Sequence, residues 1–266
     1  MTLFQGVFRI FLQGLCVLLL FANPAVADEQ PSAWAHLLSR YQSGGFVDYA
    51  ALKKNPEDLK AAFDSFALIS EPEYQQYDQN EKIAYWINLY NLLAIQLVVN
   101  HYPIQAGLTW KRIAYPKESI QQIQNVWKVP VIKVGGTERS LDDIENKILR
   151  GKFQEPRIHF ALVCASLGCP VLREEPYNAL HLDEQLDDQV RRFLADEKKA
   201  KYDKVKNIYY LSPIFKWFEN DFDEAGGIFQ FINQYRKQPV SEKTSIIWLD
   251  YDWQLNNIKK TPVRHA

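Results

Sequence analysis

Apolar residues run almost unbroken from Ile83 to Val99, and only Asn88, Asn91 and Gln96 interrupt them. Apolar positions around nearly the whole circumference predict a central, buried helix. Asn80 is placed to cap it and Pro103 to stop it, which gives a helix over 80–103. The polar interruptions favour the core helix of a soluble fold over a membrane span. Asn88 and Asn91 are three residues apart and share a face. Burying each amide without partners would cost about 1–3 kcal/mol. Something polar must therefore meet them, either loop backbone or a site that they help to line.

Elsewhere the pattern shifts between helical and strand periods. Asn55-Pro56-Glu57-Asp58 combines a cap, a first-turn proline and early acids, predicting a helix from Pro56 to about Leu68. "KVPVIKVGGTERSL" reads as a strand, a Gly135-Gly136 turn and a return strand. Ser140-Leu141-Asp142-Asp143 resembles a capping box that opens a helix over Leu141 to Arg150. "RIHFALV" suits a buried strand, with a helix left open at this length. "HLDEQLDDQVRRFLADE" is an amphipathic surface helix. "NIYYLS" is a strand, and Ser212-Pro213 opens the helix "PIFKWFENDF". Gly226-Gly227 separates that helix from another near Ile228–Tyr235, and "TSIIWLDYDWQLN" gives a last strand. Helices outnumber strands without alternating with them. The fold class is therefore α+β: mostly helical, with a small mixed or antiparallel sheet, in a single compact domain.

The N-terminus changes the picture. Arg9 is the only charge before Asp28, an apolar run extends from Ile10 to Phe21, and Ala25-Val26-Ala27 follows. This is the pattern of a secretory signal peptide cleaved after Ala27. Residues 1–27 are thus expected to be a leader, 28–45 a helical arm, 46–222 the core and 223–266 an extension. The expected location is periplasmic or secreted, with no stable membrane insertion after cleavage. Losing Arg9 takes the formal net charge from −1 to −2. That near-balance argues against nucleic acid as a partner. Cys16 leaves with the leader, so Cys164 and Cys169 remain, and an oxidising compartment permits a disulfide between them.

Those cysteines lie in "RIHFALVCASLGCP" with His159. A cysteine enzyme needs a thiolate, commonly produced by a nearby imidazole. His159 and Cys164 are five residues apart, so on one strand they face opposite ways. On one helix they sit roughly 140° apart. A working dyad therefore requires the chain to turn between Val163 and Cys164, which "CASLGCP" permits. The other reading is a structural disulfide that closes a turn-prone loop, worth about 2 kcal/mol on the chain-entropy model. A zinc site from His159, Cys164 and Cys169 lacks a clear fourth ligand and ordinary spacing. No metal and no cofactor are expected. Arg157 is placed either to bind a carboxylate or to pair with a helix acid. Trp248, Tyr251 and Trp253 fit either a sugar-stacking surface or packing in a terminal strand.

"YWINLYNLL", "SLDDIENKILR", "PRIHFALVCASLGCPVLREEPYN" and "LSPIFKWFENDF" together resemble the domain-of-unknown-function 547 family, over about Phe46 to Phe222. The resemblance implies a bacterial, often exported, domain. It marks Asn88, Asn91, Glu145, Arg157, His159, Cys164, Cys169 and Pro170 as motif positions. In the family pattern a histidine follows the glutamate of "IE", whereas this chain has Asn146.

Two functions follow. One is a non-catalytic exported binding domain for a small molecule or peptide, with the Cys164–Cys169 loop as a staple and Glu145 and Arg157 as ligand-binding positions. The other is a cysteine-dependent hydrolase or acyltransferase acting on peptide or amide bonds. There Cys164 would be the nucleophile, His159 the base, and Asn88 or Asn91 the orienting group.

Overall fold

The computed structural model describes residues 32–67, 69–107, 110–134 and 137–258. The expected leader, Leu68 at the end of its predicted helix, and the Gly135-Gly136 turn lie outside the described residues.

The central helix spans Gln79–His101, and every position from Ile83 to Ile95 is buried. Asp78, rather than Asn80, caps it. The Asp78 carboxylate accepts the Glu81 amide at 2.8 Å, and the Glu81 carboxylate accepts the Asp78 amide at 2.6 Å. This reciprocal pair satisfies donors that a helix start leaves open. The helix is long and apolar enough to cross a membrane, yet 89% of its most apolar window is buried inside the protein. Trp34, Leu37 and Leu38 of helix Ser32–Tyr41 and Leu59, Ala62 and Phe66 of helix Pro56–Ala67 join it in one hydrophobic core.

A second core gathers Phe160, Phe193, Phe215, Phe222 and Phe231. Over it lies a three-stranded mixed sheet. Ala200–Asp203 runs antiparallel to Ile208–Leu211, which pairs in parallel with Ser245–Trp248. The chain after residue 222 is therefore woven into the fold. Beyond the sheet, the Val47 amide donates to the Asn256 carbonyl at 2.9 Å, tying the C-terminal segment to the N-terminal one. The expected hairpin is present, with Ile132–Val134 antiparallel to Thr137–Arg139. The α+β class holds, with about half the chain helical around small sheets.

Two elements depart from expectation. "RIHFALV" is not a strand. Pro156–Phe160 forms a 3₁₀ turn, and the segment continues without a ladder partner. Its buried backbone is satisfied by side-chain amides from two helices instead of a neighbouring strand. Gln189 donates to the Phe160 carbonyl at 3.0 Å, and Asn91 donates to the Ala161 carbonyl at 3.0 Å. The helix expected over "PIFKWFENDF" is two short ones, Ile214–Trp217 and Glu219–Asp223, broken at Phe218.

The helix after Ser140 starts on the expected capping box. The Asp143 amide donates to Ser140 Oγ at 3.1 Å, and the Ser140 amide donates to the Asp143 carboxylate at 3.0 Å. Its body, Asp143–Leu149, is π-helical, with the Arg150 amide bonded to the Glu145 carbonyl. Single π turns of this kind often mark functional positions.

Candidate functional site

Several parts of the chain converge on one cavity of about 170 Å³, among them the central helix, the π-helical turn, the cysteine stretch, the helix from Ile214 and the segment after the last strand. Glu145, His159 and Cys164 bring polar chemistry to its wall. Tyr90, Trp127, Trp217, Tyr251 and Trp253 give it an aromatic lining. A second cavity of about 280 Å³ touches Cys169 and Lys199, and Tyr251 and Pro170 border both.

The cysteine loop begins where the 3₁₀ segment ends. Ala165 has φ 59°, a left-handed conformation uncommon for a residue with a Cβ, and it lets the chain bend directly after Cys164. The Cys164 and Cys169 sulfurs lie 2.13 Å apart, a disulfide-bond distance, with Cα atoms 6.0 Å apart. Ser166 Oγ is 3.3 Å from the Cys164 sulfur, and the Tyr251 hydroxyl is 3.2 Å from it. The loop admits that tyrosine because Gly168 has no side chain. A Cβ there would stand 2.9 Å from the Tyr251 ring.

His159 is nearly fully buried and stacks on Phe218, with ring centroids 3.9 Å apart. Its Nε2 lies 2.7 Å from Asp221. Arg150 grips the same carboxylate with two hydrogen bonds, at 2.6 and 2.8 Å. Asn146 accepts from Arg150 at 2.5 Å and donates to Asp142 at 3.0 Å. Asp142, Asn146 and Arg150 thus stand one turn apart and lead to Asp221 and then His159. Asn146 is a link in that chain.

Burial raises the Asp221 carboxyl, but hydrogen bonds from Arg150 and His159 outweigh it and hold the group well below the usual carboxylate range. Burial lowers the His159 pKa, and the Asp221 contact offsets this only in part. A neutral imidazole beside that carboxylate carries its proton on Nε2 and donates it. Nδ1 is then a bare acceptor, and it has no hydrogen-bond partner among the described residues. Glu145 keeps some surface open to the cavity, but the protein packed around its carboxyl raises its pKa to about 7. The Tyr90 hydroxyl, 3.2 Å away, pulls it back only partly.

The other expected positions do structural work. Asn88 accepts from Trp34 Nε1 at 3.2 Å and the Tyr177 amide at 3.0 Å, and donates to the Tyr177 carbonyl at 2.8 Å. Asn91 holds the backbone on either side of Leu162. Neither asparagine borders the cavity, and the carboxylate bonded to His159 is that of Asp221. Arg157 is spent on Glu155, Asp183 and Asp187 at 2.6–2.9 Å, outside the cavity. No hydrogen bond joins His159 to Cys164 among the described residues, although both line the cavity.

Sequence reasoning missed the Asp221–Arg150 pair and the roles of Tyr90, Trp127 and Trp217. The available signal was motif membership. Arg150 closes "SLDDIENKILR" and Asp221 sits in "LSPIFKWFENDF", but no spacing joins them. Tyr251 and Trp253 follow the last strand rather than lying in it, and their rings face the cavity together, 4.6 Å apart.

Fold and site together define an α+β domain with a disulfide-bordered aromatic cavity. Residues 74–194 match the model of a family described as "Protein of unknown function, DUF547". The match supports placing that segment in the DUF547 family. It takes in Tyr90, Glu145, His159 and both cysteines, while Trp217, Asp221, Tyr251 and Trp253 lie beyond it. No curated protein and no solved structure matches the chain.

Proposed function

We propose that this is an exported ligand-binding domain whose site is the aromatic cavity, with the two cysteines acting as a staple and not as a nucleophile in the oxidised state. The observation that carries the reading is that Glu145 and His159, whose buried Nδ1 has no hydrogen-bond partner among the described residues, both line a pocket walled by aromatic rings. An apolar pocket with few, fixed polar groups suits a small molecule or a peptide side chain that presents a ring and a hydrogen-bonding group. The leader pattern and the paired sulfurs support a periplasmic or secreted location. The near-balanced charge speaks against nucleic acid.

The test is a titration with small aromatic fragments, followed by tryptophan emission and by protein NMR. Binding should perturb Trp217 and Trp253, and Trp217→Ala and Glu145→Gln should each weaken it. Fragments that bind elsewhere, or with affinity indifferent to both substitutions, would defeat the proposal.

A cysteine-dependent hydrolase is the second reading, because Cys164 and His159 line the same cavity. It requires a reduced Cys164, since the bonded sulfur is not a nucleophile. After treatment with a dithiol, an electrophile should label the protein. Cys164→Ser should abolish that labelling, and Cys169→Ser should preserve it.

A further inference from the structure

The polar groups of the cavity are arranged for more than holding a ligand. The His159 ring is fixed on three sides. Phe218 covers one face at 3.9 Å between centroids, Phe222 lies 5.9 Å away at a tilt, and Asp221 holds Nε2 at 2.7 Å. Asp221 is fixed in turn by the two-pronged grip of Arg150. Neither Asp221 nor Arg150 borders the cavity. What the chain from Asp142 to Asp221 achieves is a fixed tautomer, with the proton on the nitrogen that faces the carboxylate. The remaining nitrogen is buried and unpartnered, on a ring that lines the cavity. A carboxylate that orients an imidazole and leaves its other nitrogen free is the arrangement of a general base. Opposite in chemistry and in the same cavity is Glu145, a carboxyl enclosed by aromatic rings and bonded to the Tyr90 hydroxyl. Enclosure of that kind favours the neutral acid, which can donate a proton.

We infer that Glu145 and His159 form an acid–base pair that moves a proton between two atoms of a carbonyl compound bound in the aromatic cavity, without using the cysteine sulfur. The inference rests on the cavity being the ligand site. His159 Nδ1 takes a proton from a carbon beside the carbonyl, and the C–H electron pair becomes the new C=C bond. The carbonyl π pair takes the proton of the Glu145 carboxyl. The product is the enol, an isomer of the substrate, and no electrons are gained or lost overall. His159 is left as imidazolium and Glu145 as carboxylate. Transfer of one proton from His159 to water, and of one from water to Glu145, restores the pair. Asp221 and Arg150 are positioning residues that also steady the transient imidazolium.

The groups that face the pair set its pH window. Glu145 is faced by Tyr90, Arg150, Asp142, Asp221 and Tyr251, and His159 by Asp221 and Arg150. The base must be neutral and the acid protonated. Activity should therefore fall on the acid side as His159 charges, somewhere below its ordinary 6.5, and on the alkaline side as Glu145 ionises near 7.

The experiment uses the oxidised protein and phenylacetone, a neutral aryl ketone with acidic benzylic protons, in D₂O. Proton NMR follows loss of the benzylic signal, and saturation-transfer NMR reports binding separately. The expected result is binding together with catalysed exchange over a narrow, bell-shaped pH window. Glu145→Gln should slow exchange about 100-fold at saturating ketone, a loss larger than its weakening of binding. Exchange by the oxidised protein should be indifferent to iodoacetamide, which alkylates only a free thiol. Asp221→Asn should shift the acid limb while near-ultraviolet circular dichroism stays native. If the buried His159→Gln variant does not fold, Glu145→Gln and the pH profile still decide the matter. Binding without exchange would overturn the acid–base pair and leave the ligand cavity standing. Failure to bind would overturn both. Exchange that iodoacetamide blocks, or that is indifferent to Glu145→Gln, would overturn the inference.

Discussion

Asn91 clamps Val163 from inside the core: its side-chain carbonyl accepts the Val163 amide at 2.8 Å, while its NH₂ donates to Ala161. One side chain of the central helix thereby fixes the last turn of backbone before Cys164. Asn91→Leu keeps the volume but strands a buried amide and a buried carbonyl. It should cost about 1–3 kcal/mol for each unsatisfied group. Urea denaturation checks this, and an unchanged midpoint would refute it.

The raised pKa of Glu145 has a direct effect on stability. With a folded value near 7 and an unfolded value near 4.5, the folded state holds an extra proton between those limits. Stability should therefore fall as pH rises from about 4.5 to about 7, the reverse of the usual carboxylate behaviour. Thermal midpoints at pH 5 and pH 8 measure the effect, and Glu145→Gln should flatten the difference between them.

Asp221 titrates in the opposite sense. Its carboxyl is held below the ordinary range by Arg150 and His159, so its contribution is present above the unfolded pKa near 4 and is lost as pH falls. Asp221→Asn should lower the melting midpoint at pH 7 more than at pH 3.

Ala165 sits at φ 59° and is buried. Left-handed backbone costs a Cβ-bearing residue about 1–2 kcal/mol, and glycine almost nothing. Ala165→Gly should be neutral or mildly stabilising, because lost strain offsets the greater freedom of the unfolded chain. Ala165→Val should be clearly destabilising, since a β-branched residue resists this conformation. Chemical denaturation of the pair would expose any error.

Thiol counting checks the staple. A protein expressed without residues 1–27 should show no free thiol, native or unfolded, until a dithiol is added. After mild reduction Cys164 should react before Cys169, because Cys169 is only 2% exposed while Cys164 reaches the cavity. A free thiol in the untreated, unfolded protein would show that the pair is not bonded in solution.

Much of the scaffold was legible because its signals are local. The central helix announces itself by seventeen nearly unbroken apolar positions, the hairpin by Gly135-Gly136, and the helix after Ser140 by a reciprocal cap. The stretch from Arg157 to Val163 misled for a physical reason. An apolar run signals burial, and burial usually means a sheet ladder when the run is short. Here amides from Asn91 and Gln189, 70 and 29 residues away from their acceptors, replace the ladder. The site was half legible for the same reason. Glu145, His159 and the cysteines stand in quotable motifs, but the partner of His159 is 62 residues further on. The aromatic wall is assembled from residues between 90 and 253, whose rings look like ordinary core residues until the fold brings them together.

The position of Tyr251 sets an order of assembly. It seals the sulfur pair from the outside, yet it follows Cys169 by 82 residues. A chain made from its N-terminus presents both cysteines long before their cover exists. Were the chain delivered unfolded to an oxidising compartment, oxidant would reach the loop while it is still open, and the closing strand and its aromatic tail would arrive afterwards like a lid on a finished joint. A chain released without its last twenty residues would keep the staple and lose the room built around it.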